Sequence, residues 1–297
     1  MDMITSMKFS AILVKPLTLI SLICGAITYT GSFIASASNA DYSYLPASEV
    51  KQLQVENQSV PALLRPWLGH KQLGLAIIVP ALGERADAPG LASYLRRELN
   101  DAGWATLALT PPEPADTSTE INTAIETGNQ LTKQPEQASD SQLTAEQVAK
   151  TKLQQDFMLA SMAQLDALGK HFSGKRMLVT MGDSANLIIE LLASKRLPMP
   201  DLLVIVNPYS ELESVNNALP EKLASLAIPV LDIQSKDGTA ASISTQLKRR
   251  SLAPANAPTR YSQQVLALDL TLEMAWDNSL ELIEGFASRI NKAYPNG

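Results

Sequence analysis

Met177-Leu178-Val179-Thr180-Met181-Gly182-Asp183-Ser184-Ala185-Asn186-Leu187-Ile188-Ile189 runs from a short apolar strand through a glycine into an apolar helix. A serine at a sharp strand-to-helix turn suits nucleophilic chemistry. The turn lifts the hydroxyl out of the sheet and leaves the following backbone N–H free to face an oxyanion. Ser184 is therefore the candidate nucleophile, with the Ala185 N–H as a candidate oxyanion donor. The spacing is Gly-x-Ser-x-Gly with Asn186 in place of the last glycine, a substitution that crowds the turn but that asparagine tolerates better than most residues.

Outward from this stretch the chain alternates between apolar runs and helical periodicity. Strands are expected at Leu75–Val79, Trp104–Leu109, Met177–Met181, Leu202–Val206, Val230–Ile233 and Tyr261–Leu268. Helices are expected from about Pro89 to Gly103, Thr144 to Leu168, Asn186 to Arg196 and Ser279 to Tyr294, and Thr144-Ala145-Glu146-Gln147 has capping-box spacing. This order predicts an α/β fold: a three-layer αβα sandwich around a mostly parallel sheet. The stretch from Gln52 to Trp67 reads as an antiparallel hairpin at the sheet edge.

Composition bounds the chemistry. The 297 residues hold 2 His and 1 Cys, so sites built from several His or Cys ligands, and disulfides within the chain, are excluded. No metal and no cofactor is expected, and no dinucleotide or phosphate-loop fingerprint occurs. With 24 Lys plus Arg against 30 Asp plus Glu the formal net charge is −6, which offers nucleic acid no basic footprint.

The chain begins with Lys8 and Lys15, an apolar stretch from Pro16 to about Ala37, and Ser38-Asn39-Ala40, which has the small-residue spacing of a signal-peptidase site. Residues 1–40 are expected to be a signal peptide cut before Asp41. Ala35-Ser36-Ala37 offers a second site, and an uncleaved N-terminal anchor, the only membrane contact, is the alternative. Leu22-Ile23 before Cys24 lacks the small residue of a lipidation site. Residues 41–297 are expected as a single exported, periplasmic domain. A flexible low-complexity insertion at about 111–150, rich in Pro, Thr, Gln, Ser and Glu, reads as a solvated loop, with a lid or an arm for a protein partner as the functional alternatives.

The order of elements, the Ser184 turn, Pro80-Ala81-Leu82-Gly83-Glu84 after the first buried strand, and Ile228-Pro229-Val230-Leu231-Asp232-Ile233 through Asp237-Gly238 together resemble the α/β-hydrolase superfamily. More narrowly, Val79 to Glu84 with Ala102-Gly103-Trp104-Ala105-Thr106-Leu107 is similar to the exported bacterial family called domain of unknown function 3530. The resemblance spans roughly Tyr44 to Tyr294. It implies Ser184 as nucleophile, Leu82 and Ala185 as oxyanion donors and Asp237 as the triad acid. An ordinary Asp-Gly turn is the plain alternative for Asp237. Asp232, within a strand, suits a structural hydrogen-bonding role better than that of acid. Glu84 and Arg85 at the same rim either bind a polar ligand or pair with each other.

The base is missing. In that superfamily a histidine after the last strand takes the serine proton, and here the loop reads Ala267-Leu268-Asp269-Leu270-Thr271-Leu272-Glu273-Met274-Ala275-Trp276. His70 and His171 both precede strands, at the opposite edge of a parallel sheet. Asp269 or Glu273 as a substitute base needs a raised pKa. The sequence therefore predicts an incomplete triad and a binding or accessory role in the cell envelope, with a small-molecule or acyl ligand. The alternative is a serine esterase or acyl hydrolase using Ser184 with an unconventional base.

Overall fold

The computed structural model describes residues 42–114, 144–256 and 261–295, with backbone alone at 253–256. The N-terminal unit Met1–Ala35 and the rest of the expected signal segment lie outside the described residues, as do 115–143 of the expected insertion.

Eight strands make one sheet, ordered β1-β2-β4-β3-β5-β6-β7-β8. The hairpin β1 (Val50–Val55) and β2 (Gln58–Arg65) lies at one edge, with β2 antiparallel to β4 (Trp104–Leu109). The strands β3 (Gly74–Val79), β4, β5 (Lys175–Met181), β6 (Leu202–Val206), β7 (Val230–Gln234) and β8 (Tyr261–Val265) pair in parallel. Parallel strands need covered faces, and the burial shows them. Alternate residues of β3 face opposite cores: Leu75 and Val79 join one, Ala76 and Ile78 the other.

One core packs the sheet against α2 (Ala145–Met162), α3 (Leu165–Gly169), α4 (Gly182–Ala193) and α5 (Glu213–Ala224), through Met158, Leu165, Ile188 and Leu219. The other packs it against α1 (Leu91–Glu98) and α7 (Glu273–Ala293), through Leu95, Ile283 and Phe286. A further helix, α6 (Ala240–Asn256), lies against α5, β7 and β8. The three-layer αβα sandwich is therefore as the sequence predicts.

The boundaries shift in informative ways. The capping box at Thr144 is present, with Thr144 Oγ1 accepting from the Gln147 N–H and Gln147 Oε1 from the Thr144 N–H. Residues 144–150 are thus helical and not part of a loop. Residues 111–114 are tied down as well, since Pro112 O accepts from the Gly83 N–H and Glu113 O from Gln154 Nε2. The helix expected from Asn186 starts four residues earlier, at Gly182. Helices α5 and α6 were not legible because their apolar positions are diluted by polar residues and interrupted by Pro220.

Among the described residues no helix is long and apolar enough to cross a membrane. The same residues bring together no group of His, Cys, Asp and Glu fit to hold a metal ion.

Candidate functional site

The carboxyl ends of β3, β5, β7 and β8 form one rim, the edge at which open α/β sheets take ligands. Met181 ends β5 in extended conformation, and the chain turns at Gly182 with φ +57 directly into α4. This is the left-handed region that side chains with a Cβ adopt at a cost, so glycine lets the strand run into the helix without a loop. A Cβ at Gly182 would stand 3.1 Å from Ala81 Cβ. The turn therefore falls two residues before the serine. Ser184 lies inside the first turn of the helix, fully buried, and its Oγ has no hydrogen-bond partner. The sequence expectation that the hydroxyl projects from the turn is corrected: the turn position itself has no side chain.

Counting from Met181 as N-cap, Ala185 is the first residue whose N–H enters the intrahelical ladder. Its N–H is not free for an oxyanion, which corrects the second expectation. The unladdered N–H groups belong to Gly182, Asp183 and Ser184, and Asp183 collects what surrounds them. Its Oδ1 accepts from the Leu82 N–H at 2.8 Å and the Ser184 N–H at 2.9 Å. Leu82 is thus where the sequence places it, at the rim beside the turn, but its donor is already taken by a carboxylate. The neighbouring donors are taken too: Ala81 N–H goes to Glu84 Oε2 at 3.0 Å and Gly83 N–H to Pro112 O.

Burial pushes the Asp183 carboxyl above its ordinary range, against backbone N–H donors that pull it down. Burial raises Glu84 in the same way, with Asp183 adding repulsion. Tyr209, whose ring faces Gly182, is pushed up to about 12, first by burial and then by Asp183, Glu211 and Glu84. Glu84 and Arg85 do not pair with each other: Arg85 Nε meets Asp87 at 3.0 Å and its guanidinium sits 5.0 Å from the Tyr42 ring centroid.

Asp237 follows β7 as the superfamily's acid does. Its Oδ1 accepts from Ser235 Oγ at 2.5 Å and from the Leu270 N–H at 3.0 Å. The carboxylate reaches the loop after β8, where the superfamily's histidine would stand, and finds backbone there. Asn207, with φ +47, braces the same turn by accepting from the Ser235 N–H and donating to Ser235 Oγ. His70 and His171 are exposed ahead of β3 and β5. At roughly 3.3 Å per residue, the length of β5 puts His171 about 20 Å from the turn.

Asp232 is fully buried and structural. Arg249 Nε donates to it at 2.8 Å, Tyr261 Oη at 2.6 Å and Gln263 Nε2 at 2.9 Å.

Above α4, a cavity of about 390 Å³ opens between α2, α4 and residues 210–215. Asp183 and Asn186 lie in its wall, and neither signalled itself as a site residue in the sequence. The signal was present: Leu187, Ile188, Leu191 and Leu192, counted back in helical steps, put Asp183 in the first turn, where the helix dipole favours an acid.

Strand order, crossover helices and rim define a protein of the α/β-hydrolase fold. Solved structures agree. Est1E from Butyrivibrio proteoclasticus superposes with a TM-score of 0.53 at 11% identity, covering 82% of this chain and 98% of its own. Dienelactone hydrolase from Anabaena variabilis gives 0.52 at 14% identity, covering 81% and 96%. An alpha-beta serine hydrolase homologue from Coxiella burnetii gives 0.50 at 11%, covering 81% and 98%. At these identities the likeness is one of fold. No curated protein matches the chain. Residues 34–289 match the family described as protein of unknown function DUF3530, and the chain belongs to that family.

Proposed function

We propose that this is an exported α/β-hydrolase-fold protein of the cell envelope that binds a ligand at the rim and does not catalyse acyl transfer. The observation that carries the reading is the pair Gly182 and Asp183. A residue without a side chain holds the turn, and a carboxylate takes the N–H that an oxyanion would need. A tetrahedral intermediate needs preorganised donors, and loss of one alone costs about a hundredfold to a thousandfold in rate. Here Leu82 already donates to an anion of the protein itself. The absence of histidine from 266–272 supports the same conclusion, because an unassisted serine hydroxyl is a weak nucleophile.

Export rests on the N-terminal sequence alone: the lysines, the apolar stretch and Ser38-Asn39-Ala40. N-terminal sequencing of the protein recovered from the periplasm is expected to begin at Asp41; an intact N-terminus in the membrane fraction would establish an anchor instead.

The second reading is a serine esterase using Ser184. The observations in its favour are the unpartnered Ser184 Oγ and the dienelactone hydrolase and serine hydrolase homologue among solved structures with this fold. Hydrolysis of p-nitrophenyl butyrate separates the two. The proposal expects a rate indistinguishable from a Ser184→Ala variant, whereas a rate abolished by that substitution would establish the esterase.

A further inference from the structure

The two edges of the sheet are finished differently. At one edge the side chain of Gln164, between α2 and α3, closes the outer side of β1: the Gln54 N–H donates to Gln164 Oε1 at 2.8 Å and Gln164 Nε2 donates to the Gln54 carbonyl at 2.7 Å. At the other edge lies β8, Tyr261-Ser262-Gln263-Gln264-Val265, whose backbone pairs with β7 on its inner side and with nothing on its outer side among the described residues. Open strand edges are ordinarily blunted by lysine, proline or a bulge, and β8 carries none of these.

Hydrogen-bond alternation fixes which groups face outward. The Leu266 N–H donates to the Gln234 carbonyl, so Leu266 and, by alternation, Gln264 and Ser262 turn their backbone groups to β7. The N–H and C=O groups of Tyr261, Gln263 and Val265 therefore point out of the sheet. These three positions are symmetric about Gln263. A second β8, antiparallel to the first and related to it by a two-fold axis through Gln263, sets Gln263 against Gln263 and each Tyr261 against the other copy's Val265. All of these are pairs that exchange both backbone hydrogen bonds.

The helix above this edge carries an apolar flank. The Gln246 carbonyl in α6 accepts from Gln263 Nε2 at 3.0 Å, which sets that part of the helix over β8. Ser242, Thr245 and Arg249 of α6 are buried, and Ile243, Gln246, Leu247 and Arg250 fall at i, i+3, i+4 and i+7 on the adjoining stripe. Leu247 is 77% exposed, more than any other large apolar side chain among the described residues, and Ile243 and Val265 are exposed beside it. A two-fold axis perpendicular to the sheet leaves both copies of α6 on the same face, side by side, with Ile243 and Leu247 of one turned toward those of the other.

The dimensions suffice for a reversible contact. With 17 residues α6 is about 25 Å long. A helix about 10 Å across above a strand layer of about 10 Å makes the patch on the order of 500 Å² per copy. The total of about 1,000 Å² stands at the lower bound for specific association.

We infer that β8 and α6 form the interface of a homodimer in which two copies of this chain join edge to edge into one continuous sheet. The inference goes beyond the ligand and the chemistry of the rim and depends on neither. Sedimentation velocity of the full-length protein over about 1–300 μM tests it, since an interface of this size implies a dissociation constant on the order of micromolar. A reversible monomer–dimer equilibrium is expected. Val265→Pro removes an outward N–H and leaves the β7 ladder intact, and Leu247→Glu places like charges side by side across the axis. Each is expected to weaken dimerisation at least tenfold with the urea midpoint of the diluted protein unchanged. Should Val265→Pro lower that midpoint, Leu247→Glu, at a side chain already in solvent, decides alone. A monomer throughout the range, which would leave the edge to a strand of another protein, or a dimer as tight in Leu247→Glu as in the parent, would overturn the inference.

Discussion

Two carboxylates, fully buried Asp232 in β7 and half-buried Asp183 at the head of α4, have opposite fates. Asp232 is enclosed by Arg249, Tyr261 and Gln263, and Arg249 goes on to Gln234 Oε1 at 2.8 Å and Thr245 Oγ1 at 2.6 Å. Every lone pair that matters is answered by a donor from α6 or β8, and the network pins those two elements to β7. Asp183 is answered by backbone N–H groups only, meets no cation among the described residues, and borders a cavity. A buried charge with a matched partner belongs to the fold. One without a partner, at the rim where ligands bind, is available to a ligand.

The comparison is easiest to break at its structural pole. Arg249→Met leaves Asp232 charged and fully buried without a cation, and is expected to cost about 3–5 kcal/mol in urea unfolding. Combining it with Asp232→Asn should recover part of that loss, since the uncompensated charge goes too. A loss below about 1 kcal/mol in the single variant would mean that the pair is not the anchor described.

Gly182→Ala comes next. It forces an L side chain to φ +57 and brings a Cβ to 3.1 Å from Ala81 Cβ, so a destabilisation of about 1–2 kcal/mol is expected from the backbone alone. No loss in denaturant unfolding would contradict the turn geometry.

Asp183→Asn sharpens the other pole through pH. The folded pKa of Asp183 is raised, so the fold binds that proton more tightly than the unfolded chain does, and the protein is favoured below the ordinary value of 3.8. That advantage is lost as pH rises through the folded value. Asn does not titrate, so the melting temperature of Asp183→Asn relative to the parent should rise across that window and level off above it. A difference that shrinks with rising pH would show Asp183 to be stabilised as an anion.

The smallest effect is expected at Ser184. Removing a buried hydroxyl that has no partner relieves about as much as the small void costs, so Ser184→Ala should stay within about 1 kcal/mol of the parent by denaturant unfolding. A larger loss would reveal a hydrogen bond at Ser184 Oγ.

Most of the fold was legible because buried parallel strands are short apolar runs: Trp104–Leu109 and Leu202–Val206 have the boundaries that the sequence suggests. The hairpin was legible too. Helices α5 and α6 were hidden because each packs mainly against the other, which weakens the apolar stripe facing the sheet. In the site, composition and strand order alone were enough to place His70 and His171 at the far edge, where both lie exposed. The turn lies two residues before Ser184. The Gly-x-Ser spacing drew the turn to the serine, while the residue with backbone freedom to make it was Gly182. Nothing local in the sequence marks Asp183, because its role depends on the Leu82 N–H, 101 residues away in the chain.

The central claim is that the turn after β5 presents no nucleophile. Intact-mass spectrometry of the full-length protein after incubation with a fluorophosphonate tests it directly. No adduct is predicted; an adduct that maps to Ser184 and disappears in Ser184→Ala would contradict the claim.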